Sequence, residues 1–326
     1  MDLDLVFLGT AGSVPTPRRG LSAALIRRGG HRILIDCGEG TQRQMMRSVG
    51  MSDIDTVLIT HLHTDHYLGL PGMLKTFNLR ERTTPLTVVG PPGMSDMWRL
   101  FKPVVGRLGF PVHVEEAGET WSMDCDGYGL DSFLTHHSIP SVGYRLREPD
   151  RPGTFDLDHA QKLGIPSGPM FGLLQRGSAV TLDDGSVIEP ADVLGEPRSG
   201  RTIVYTGDTC AVAAVREAAR DATVLVHEAT FCDDERERAS ATKHSTAGDA
   251  ALLAAAANVS MLVLTHISNR YGGKEVTAEA QRYFPDAICA SDFDIITVPY
   301  PERGAPELHR RAARPSRRQP ALQSQS

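Results

Sequence analysis

The sequence contains little cysteine and no long apolar run, and both shortages narrow the kinds of protein it can be. Its five cysteines are odd in number and never form a Cys-x-x-Cys pair: Cys37, Cys125, Cys210, Cys232 and Cys289. This argues against a disulfide framework and a zinc ribbon. The sequence contains no run of about 18 apolar residues, which is the length that a membrane-spanning helix needs. The opening MDLDLVFLGT also lacks the basic start of a signal peptide. We therefore expect a cytoplasmic protein with no membrane partner.

Positive charge is also scarce over most of the chain. The 326 residues include 34 Lys and Arg against 40 Asp and Glu, for a net charge of −6. From Arg303 onward the balance reverses, with six arginines and one glutamate among Pro, Gln and Ser. Such a composition is typical of disorder. We interpret residues 1–302 as one domain and 303–326 as a disordered basic tail, and expect any nucleic-acid binding to depend on a local basic patch.

Three apolar runs end in a histidine or a carboxylate: VLITH, VLVHEAT and LVLTH. Up to about residue 148, short runs of strand type alternate with turns, and after about residue 201 strands alternate with helices. Polar side chains at the ends of buried strands often form sites in layered α/β folds. The pattern predicts a mixed α/β (α+β) fold with a site at one edge of its sheets.

Residues 150–200 differ in composition and in predicted secondary structure from the segments on either side. They are rich in Gly, Pro and charge, with one short helical stretch at FDLDHAQKLG and an Asp-Gly turn within TLDDGSVI. Asp-Gly favours a tight hairpin turn. We interpret this segment as an insertion that projects from the fold.

The segment THLHTDH places four metal-binding side chains directly after an apolar run. His61 and His63 can hold one ion, which leaves Asp65 and His66 to face a second. Imidazole and carboxylate are good ligands for zinc, manganese or iron. A single histidine at a strand end is more often a surface or hydrogen-bonded residue than a metal ligand. Four such side chains within six positions, however, favour a metal site.

Each ion needs further ligands, and later strand ends supply candidates. These are His136 or His137, Asp208 and His266. An aspartate can bridge two cations through its two oxygens, and a two-metal site activates water for attack on a phosphodiester. Asp208 could instead cap the helix that follows it.

These motifs resemble those of the metallo-β-lactamase superfamily and, within it, the ribonuclease Z family of tRNA 3′-processing enzymes. The resemblance runs from FLGTAGSVPTPRR through ILIDCGEGTQRQ, THLHTDHYLGLPG, GYR, IPSGP, VYTGDT, VHEATF, KHST and LTHIS to TVPY. The first histidine motif is shared by many hydrolases of the superfamily. The motifs HEAT, HST and IPSGP are more specific, and they narrow the resemblance to the ribonuclease Z family. The resemblance implies a four-layer αββα sandwich with a projecting arm.

The resemblance also implies a ligand set for two zinc ions, or for Mn²⁺ or another divalent ion in their place. His61, His63 and His137, rather than His136, would bind the first ion. Asp65, His66 and His266 would bind the second, with Asp208 bridging both.

The implied catalytic residues are Asp65, Glu228 and His244. Asp65 would accept a proton from the attacking water, while Glu228 and His244 would help to protonate the leaving 3′-oxygen. A buried ion pair that orients a helix is the structural alternative for Glu228 and His244.

The implied activity is that of an endoribonuclease producing 5′-phosphomonoesters. It would cut precursor tRNA 3′ of the discriminator base, remove the 3′ trailer and leave a 3′-hydroxyl. Members of the family are usually homodimers, and their arm binds the tRNA, so we expect a homodimer with precursor tRNA and not DNA as its partner. One loop departs from the family pattern Pro-x-Lys-x-Arg-Asn, with Pro17 and Gly20 in place of the lysine and the asparagine. That loop is associated with the treatment of CCA-bearing precursors. Two rival functions are a small-molecule phosphodiesterase and a non-catalytic RNA-binding protein.

Overall fold

The computed structural model describes residues 1–51 and 53–310. Its strands are β1 (Leu3–Gly9), β2 (Ala23–Arg28), β3 (His31–Ile35), β4 (Thr56–Leu58), β5 (Leu86–Gly90), β6 (Val112–Glu116), β7 (Ser122–Cys125), β8 (Tyr128–Leu134), β9 (Val142–Arg147), β10 (Val180–Thr181), β11 (Val187–Ile188), β12 (Thr202–Tyr205), β13 (Val224–Glu228), β14 (Leu262–Thr265), β15 (Ala287–Cys289), β16 (Ile295–Thr297) and β17 (Glu307–His309).

Helices fill most of the longer connections. They are α1 (Thr41–Arg47), α2 (Thr64–Tyr67), α3 (Leu70–Leu79), α4 (Met94–Val105), α5 (Leu157–Lys162), α6 (Pro169–Gln175), α7 (Pro190–Val193), α8 (Ala213–Ala218), α9 (Arg236–Thr242), α10 (Ala247–Ala256) and α11 (Gly273–Ala280). Short 3₁₀ turns lie at Asp233–Glu235 and Pro301–Arg303. Within the described ranges, no helix is long and apolar enough to cross a membrane.

Two large mixed sheets pack face to face. One has the strand order β17-β16-β1-β2-β3-β4-β5-β6, and the other has the order β15-β14-β13-β12-β9-β8-β7. Helices α1, α3 and α4 contribute to the core outside the first sheet, and α8, α10 and α11 to the core outside the second. This arrangement confirms the expected four-layer αββα sandwich.

The alternation of side chains along β1 shows how one strand packs against both the second sheet and the outer helices. Leu3, Leu5 and Phe7 point into the core between the sheets, whereas Val6 and Leu8 point into the outer core against the helices. Successive residues of a strand face opposite sides, so a strand buried on both faces reads as the continuous apolar run LVFL. Burying each large apolar side chain contributes about 1.5–3 kcal/mol.

The strand directions bring the polar strand ends together. His61 follows β4 of the first sheet, while His137, Asp208 and His266 follow β8, β12 and β14 of the second. Strands β12, β13 and β14 pair in parallel, so their carboxyl ends meet at one edge. The candidate site therefore lies where the edges of the two sheets face each other.

Residues 150–200, hereafter the arm, form a small folded unit rather than an open loop. Helix α5 confirms the predicted helical stretch, with Asp156 capping its start, and β10 and β11 form the predicted hairpin. Helices α6 and α7 were not expected from the Gly- and Pro-rich composition. The arm has its own apolar core, made by Ala160, Ile165, Leu174, Val180, Ile188 and Val193.

The structure differs from the prediction for the C-terminal tail at residues 303–310. Strand β17 pairs antiparallel with β16, and Leu308 is half-buried against the core between the sheets. The disorder predicted from residue 303 is therefore wrong for Glu307–His309, whose backbone pairs with the edge of the first sheet. The remainder of the predicted tail, residues 311–326, lies outside the described residues.

Candidate metal centre

A close approach of two loops shapes the segment that follows β4. The amide of Cys37 donates to the carbonyl oxygen of His66 at 2.6 Å. A Cβ atom on Gly38 would lie 2.3 Å from the carbonyl oxygen of Asp65, so only glycine fits there. This contact fixes the turn at the start of α2, which directs Asp65 and His66 toward the sheet edge.

The first group of ligand atoms comes from His61, His63, His137 and Asp208, all within 4.8 Å of one another. Nδ1 of His63 lies 3.1 Å from Nε2 of His61 and 3.2 Å from Nε2 of His137. Oδ2 of Asp208 lies 3.6 Å from Nε2 of His61. Nitrogen and oxygen atoms at such separations can surround one divalent cation.

The second group comes from Asp65, His66 and His266. Nε2 of His66 lies 3.4 Å from Nε2 of His266 and 3.5 Å from Oδ2 of Asp65. Asp208 also reaches this group, with Oδ1 at 3.5 Å from His66 and Oδ2 at 3.3 Å from His266. Asp208 is thus the side chain common to both groups.

The environment of Asp208 fits a divalent metal. Its carboxylate is 3% exposed, and Oδ1 accepts no hydrogen bond from the described part of the chain. A buried oxygen without a donor is costly unless a cation or water satisfies it. Burial raises the pKa of Asp208, but the facing His266 and His66 lower it by more, so that it lies well below its usual range. The donor set and this orphaned oxygen show that the site suits divalent ions.

Hydrogen bonds behind the histidines fix which ring nitrogen faces the centre. The Nδ1–H groups of four histidines point outward: His61 to Thr60 at 3.1 Å, His66 to Asp36 at 2.7 Å, His137 to the carbonyl of Lys243 at 3.0 Å, and His266 to Thr230 at 2.8 Å. Metal-binding histidines are commonly oriented in this way. Burial also lowers the pKa of His61 well below its ordinary value, which keeps its imidazole in the neutral, metal-binding form.

Asp36 also lies at the centre, although no motif in the sequence singled it out. It ends the run ILID after β3, is fully buried, and accepts the Nδ1–H of His66 as well as the amide of Thr60 at 2.8 Å. The available signal was an aspartate directly after an apolar strand, the same pattern that identified Asp208.

The structure brings His137, and not His136, to the centre. The His137 ring is buried beside His63, whereas His136 is exposed and takes part through its backbone, which pairs with Thr209 and Cys210. Of these two neighbours, only His137 has a ring nitrogen within the first group.

Glu228 and His244 form a hydrogen-bonded pair at the rim of the centre. Nδ1–H of His244 donates to Oε1 of Glu228 at 2.7 Å. The amide of Thr209 donates to the same oxygen, and the hydroxyl of Thr230 to the other. Burial lowers the pKa of His244, but Glu228 and Asp208 raise it more, to about 9. Glu228 also fixes the orientation of the His244 ring.

Asp65 is the more exposed of the two central carboxylates. Its side chain is 13% exposed, and its Oδ2 accepts the amide of Ser13 at 3.0 Å. Burial raises the pKa of Asp65, whereas His266 and His66 lower it by more, so the carboxylate is negative at neutral pH.

Two cavities share part of their lining. A cleft of about 260 Å³ contains His244, and it shares Ser268 and Asn269 with a larger cavity of about 740 Å³. The larger cavity is lined by four cations, Arg18, Arg19, Lys274 and Arg310. Its one carboxylate, Asp292, is already bonded to Thr10, Gly20 and Gln44. The cavity therefore presents a local patch of positive charge.

Comparison with known proteins places this arrangement in a family. A family model for the metallo-β-lactamase superfamily matches residues 17–232. The ribonuclease Z of Natronomonas pharaonis is 45% identical over 93% of this chain and 100% of its own length. That of Myxococcus xanthus is 44% identical over 92% and 99%. The crystal structure of the short form of human tRNase Z matches with a TM-score of 0.66 and 29% identity, over 91% of this chain and 99% of that one. The chain belongs to the ribonuclease Z family of the metallo-β-lactamase superfamily.

Proposed function

We propose that the chain is a metal-dependent endoribonuclease that cuts precursor tRNA 3′ of the discriminator base. It removes the 3′ trailer and leaves a 3′-hydroxyl on the tRNA and a 5′-phosphomonoester on the trailer. The observation that carries the proposal is the convergence of two ligand groups on Asp208 beside the Glu228–His244 pair. The names of the relatives supply the substrate class.

Two zinc ions are the proposed cofactors, with Mn²⁺ or other divalent ions as substitutes. His61, His63 and His137 would hold the first, Asp65, His66 and His266 the second, and Asp208 both. When bound, such ions neutralise charge on a phosphodiester and lower the pKa of water.

Asp65 is the proposed proton acceptor. It is the central carboxylate with exposed surface, and the amide of Ser13 and the neighbouring imidazoles keep it negative. A general base must be ionised and within reach of the water that it deprotonates. Asp208 has the charge but is buried more deeply, which suits a ligand rather than a base.

His244 is the proposed proton donor to the leaving 3′-oxygen. Its Nδ1–H is held by Glu228, which leaves Nε2 as the nitrogen available to a substrate. Glu228 is itself fixed by Thr209 and Thr230, so it orients the imidazole and stabilises its protonated form. Glu228 is therefore a positioning residue for His244.

RNA binding is proposed to use two surfaces. The cations of the larger cavity would contact phosphates next to the scissile bond, and the arm, with exposed Lys162 and Arg176, would contact the tRNA farther away. Phosphate contacts of this kind give affinity without reading sequence. We also propose, from the family resemblance, a cytoplasmic homodimer with precursor tRNA as its partner and with no DNA or membrane partner.

The direct test is incubation of the purified protein with a precursor tRNA that carries a 3′ trailer, with and without a chelator, followed by mapping of the cut. We expect one cut after the discriminator base that the chelator abolishes and zinc restores. His136→Ala provides the matched control for His137→Ala, because the two rings are adjacent and only the second reaches the centre. Cleavage elsewhere in the tRNA, or full activity in His137→Ala, would contradict the proposal.

A further inference from the structure

The arm leaves and re-enters the fold as a two-stranded stalk. Its chains pair through the amide of Glu148 and the carbonyl of Arg201 at 3.0 Å, and again between Arg151 and Arg198, whose amides bond each other's carbonyls at 2.8 and 2.9 Å. The apolar core of the arm is made of its own residues, and the stalk joins this unit to the two large sheets.

The base of the stalk is a buried ion cluster. Glu148 accepts hydrogen bonds from Arg28 at 2.7 Å and from Arg201 at 2.6 and 2.8 Å, and these side chains are 2–6% exposed. Arg201 also donates to the carbonyl of Val298 at 2.8 Å. The base is thereby fixed to the segment that follows β16.

Above the base, the next residues of the C-terminal segment contact both chains of the stalk. Two guanidinium groups lie over the ring of Tyr300, with Arg151 at 3.6 Å and Arg201 at 4.0 Å from its centroid. The carboxylate of Glu302 accepts two hydrogen bonds from Arg151, at 2.7 and 2.8 Å, and lies 3.6 Å from Arg198. The C-terminal segment, which is remote in sequence, thus contacts both Arg151 and Arg198, the two arginines that pair across the stalk.

A two-stranded ribbon by itself is marginally stable in water, so its direction depends on what lies against it. Cation–π contacts and a bidentate Arg–carboxylate pair are directional interactions that can fix that direction. Arg201 belongs to the base and Arg151 to the arm side, and Tyr300 joins the two.

We propose that Tyr300 and Glu302 are positioning residues that brace the arm at one angle to the metal centre. An arm already held at this angle binds precursor tRNA without a further cost of ordering. The inference rests on the proposed function, because it assigns a purpose to an orientation that only a large substrate can sense. Small phosphodiesters bypass the arm and should not depend on the brace.

The test compares four single variants on two substrates. Glu302→Gln removes the charge of the brace, and Tyr300→Leu removes its ring. Tyr300→Phe keeps the ring face and is the conservative rescue. Glu307→Gln is the matched control, since Glu307 is an exposed glutamate five positions away that pairs with His309 instead.

Braced and unbraced arms differ in substrate binding. For Glu302→Gln and Tyr300→Leu we expect the KM for precursor tRNA to rise about threefold to tenfold, because exposed ion pairs and cation–π contacts are individually modest. The kcat should stay within about twofold, since remote contacts of this kind act on binding. Hydrolysis of bis(p-nitrophenyl) phosphate should be unchanged in every variant, which also verifies the fold. Tyr300→Phe and Glu307→Gln should match the wild type.

Amide hydrogen exchange tests the brace without RNA. The amides of Arg151 and Arg198 should exchange faster in Glu302→Gln than in Glu307→Gln. An unchanged KM in both Glu302→Gln and Tyr300→Leu, in an enzyme that cleaves precursor tRNA, would overturn the brace and leave the proposed function intact. Wild-type protein that fails to cleave precursor tRNA would overturn the proposed function, and the exchange rates would then decide whether the brace itself exists.

Discussion

The metal centre and the stalk of the arm are both built from buried charges, yet the charges are satisfied in opposite ways. At the base of the stalk, both oxygens of Glu148 accept hydrogen bonds from Arg28 and Arg201. In the centre, Asp208 faces imidazole nitrogens and keeps one oxygen without a donor among the described residues. A carboxylate saturated by arginines serves the fold, whereas one left incomplete among histidines is arranged for a cation. Chemistry and support are therefore separable by mutation.

The largest expected effect is on the residue common to both ligand groups. Asp208→Ala should reduce the metal content from the proposed two ions per chain toward zero and lower precursor cleavage by at least about 10³-fold, because several kcal/mol of transition-state stabilisation depends on bound metal. His61→Ala should empty mainly one site. Elemental analysis of the purified variants measures the difference. Full metal occupancy in Asp208→Ala would remove the bridging role.

Asp65→Ala should separate catalysis from folding. Loss of a general base costs about 10²–10⁴-fold in rate, while the thermal unfolding midpoint should change little because this side chain lies at the rim of the centre. Single-turnover cleavage and a melting curve on the same sample check both halves. A rate equal to that of the wild type would exclude Asp65 as the base.

Glu148→Gln should show the reverse behaviour. Breaking a buried pair leaves Arg28 and Arg201 uncompensated and costs about 3–5 kcal/mol of unfolding free energy, while the metal content stays at the wild-type level. Urea unfolding measures the loss. A stable variant with altered metal content would erase the distinction between the two regions.

The ion cluster of Glu148 with Arg28 and Arg201 also predicts that the stability of the fold depends on pH. Burial raises the pKa of Glu148, but hydrogen bonds and charge from Arg201 and Arg28 lower it by more. A group whose native pKa is depressed stabilises the fold above its unfolded pKa and loses that contribution as the pH falls through the native value. The stability difference between wild type and Glu148→Gln should therefore be full at pH 7 and shrink below about pH 4.3. Unfolding curves at several pH values for both proteins would reveal a constant difference if this is incorrect.

Asp36→Asn should have a smaller effect, confined to the centre. Removing the carboxylate that holds His66 should weaken metal affinity by about 10–100-fold. Competition with a chelator of known affinity measures this. An unchanged affinity would mean that Asp36 serves only the fold.

Much of the centre was predictable from sequence because its ligands follow apolar runs. His61, His63, Asp65 and His66 are close in sequence, and Asp208 and His266 end later strands whose parallel pairing makes their ends converge. Asp36 has the same position after β3 but no neighbouring ligand to draw attention to it.

The stalk was not predictable, since its contacts join residues distant in sequence. Glu148 and Arg201 are 53 positions apart, and Arg151 and Glu302 are 151 positions apart. The composition of residues 303–310 also suggested disorder, although pairing with a sheet edge orders Glu307–His309. Tertiary contacts of this kind override local composition.

The most direct test of the central claim, that the centre performs the chemistry and the arm supplies substrate binding, is to delete the arm. Replacing residues 150–200 with a short Gly/Ser linker keeps Glu148 and Arg201 at the base. Hydrolysis of bis(p-nitrophenyl) phosphate should survive, while kcat/KM for precursor tRNA falls by more than in either Glu302→Gln or Tyr300→Leu, mainly through KM, since all binding energy from the arm is lost. The loss should become smaller as salt is raised, because salt weakens the phosphate contacts that only the intact protein makes. Equal losses on both substrates, or none on precursor tRNA, would contradict the account.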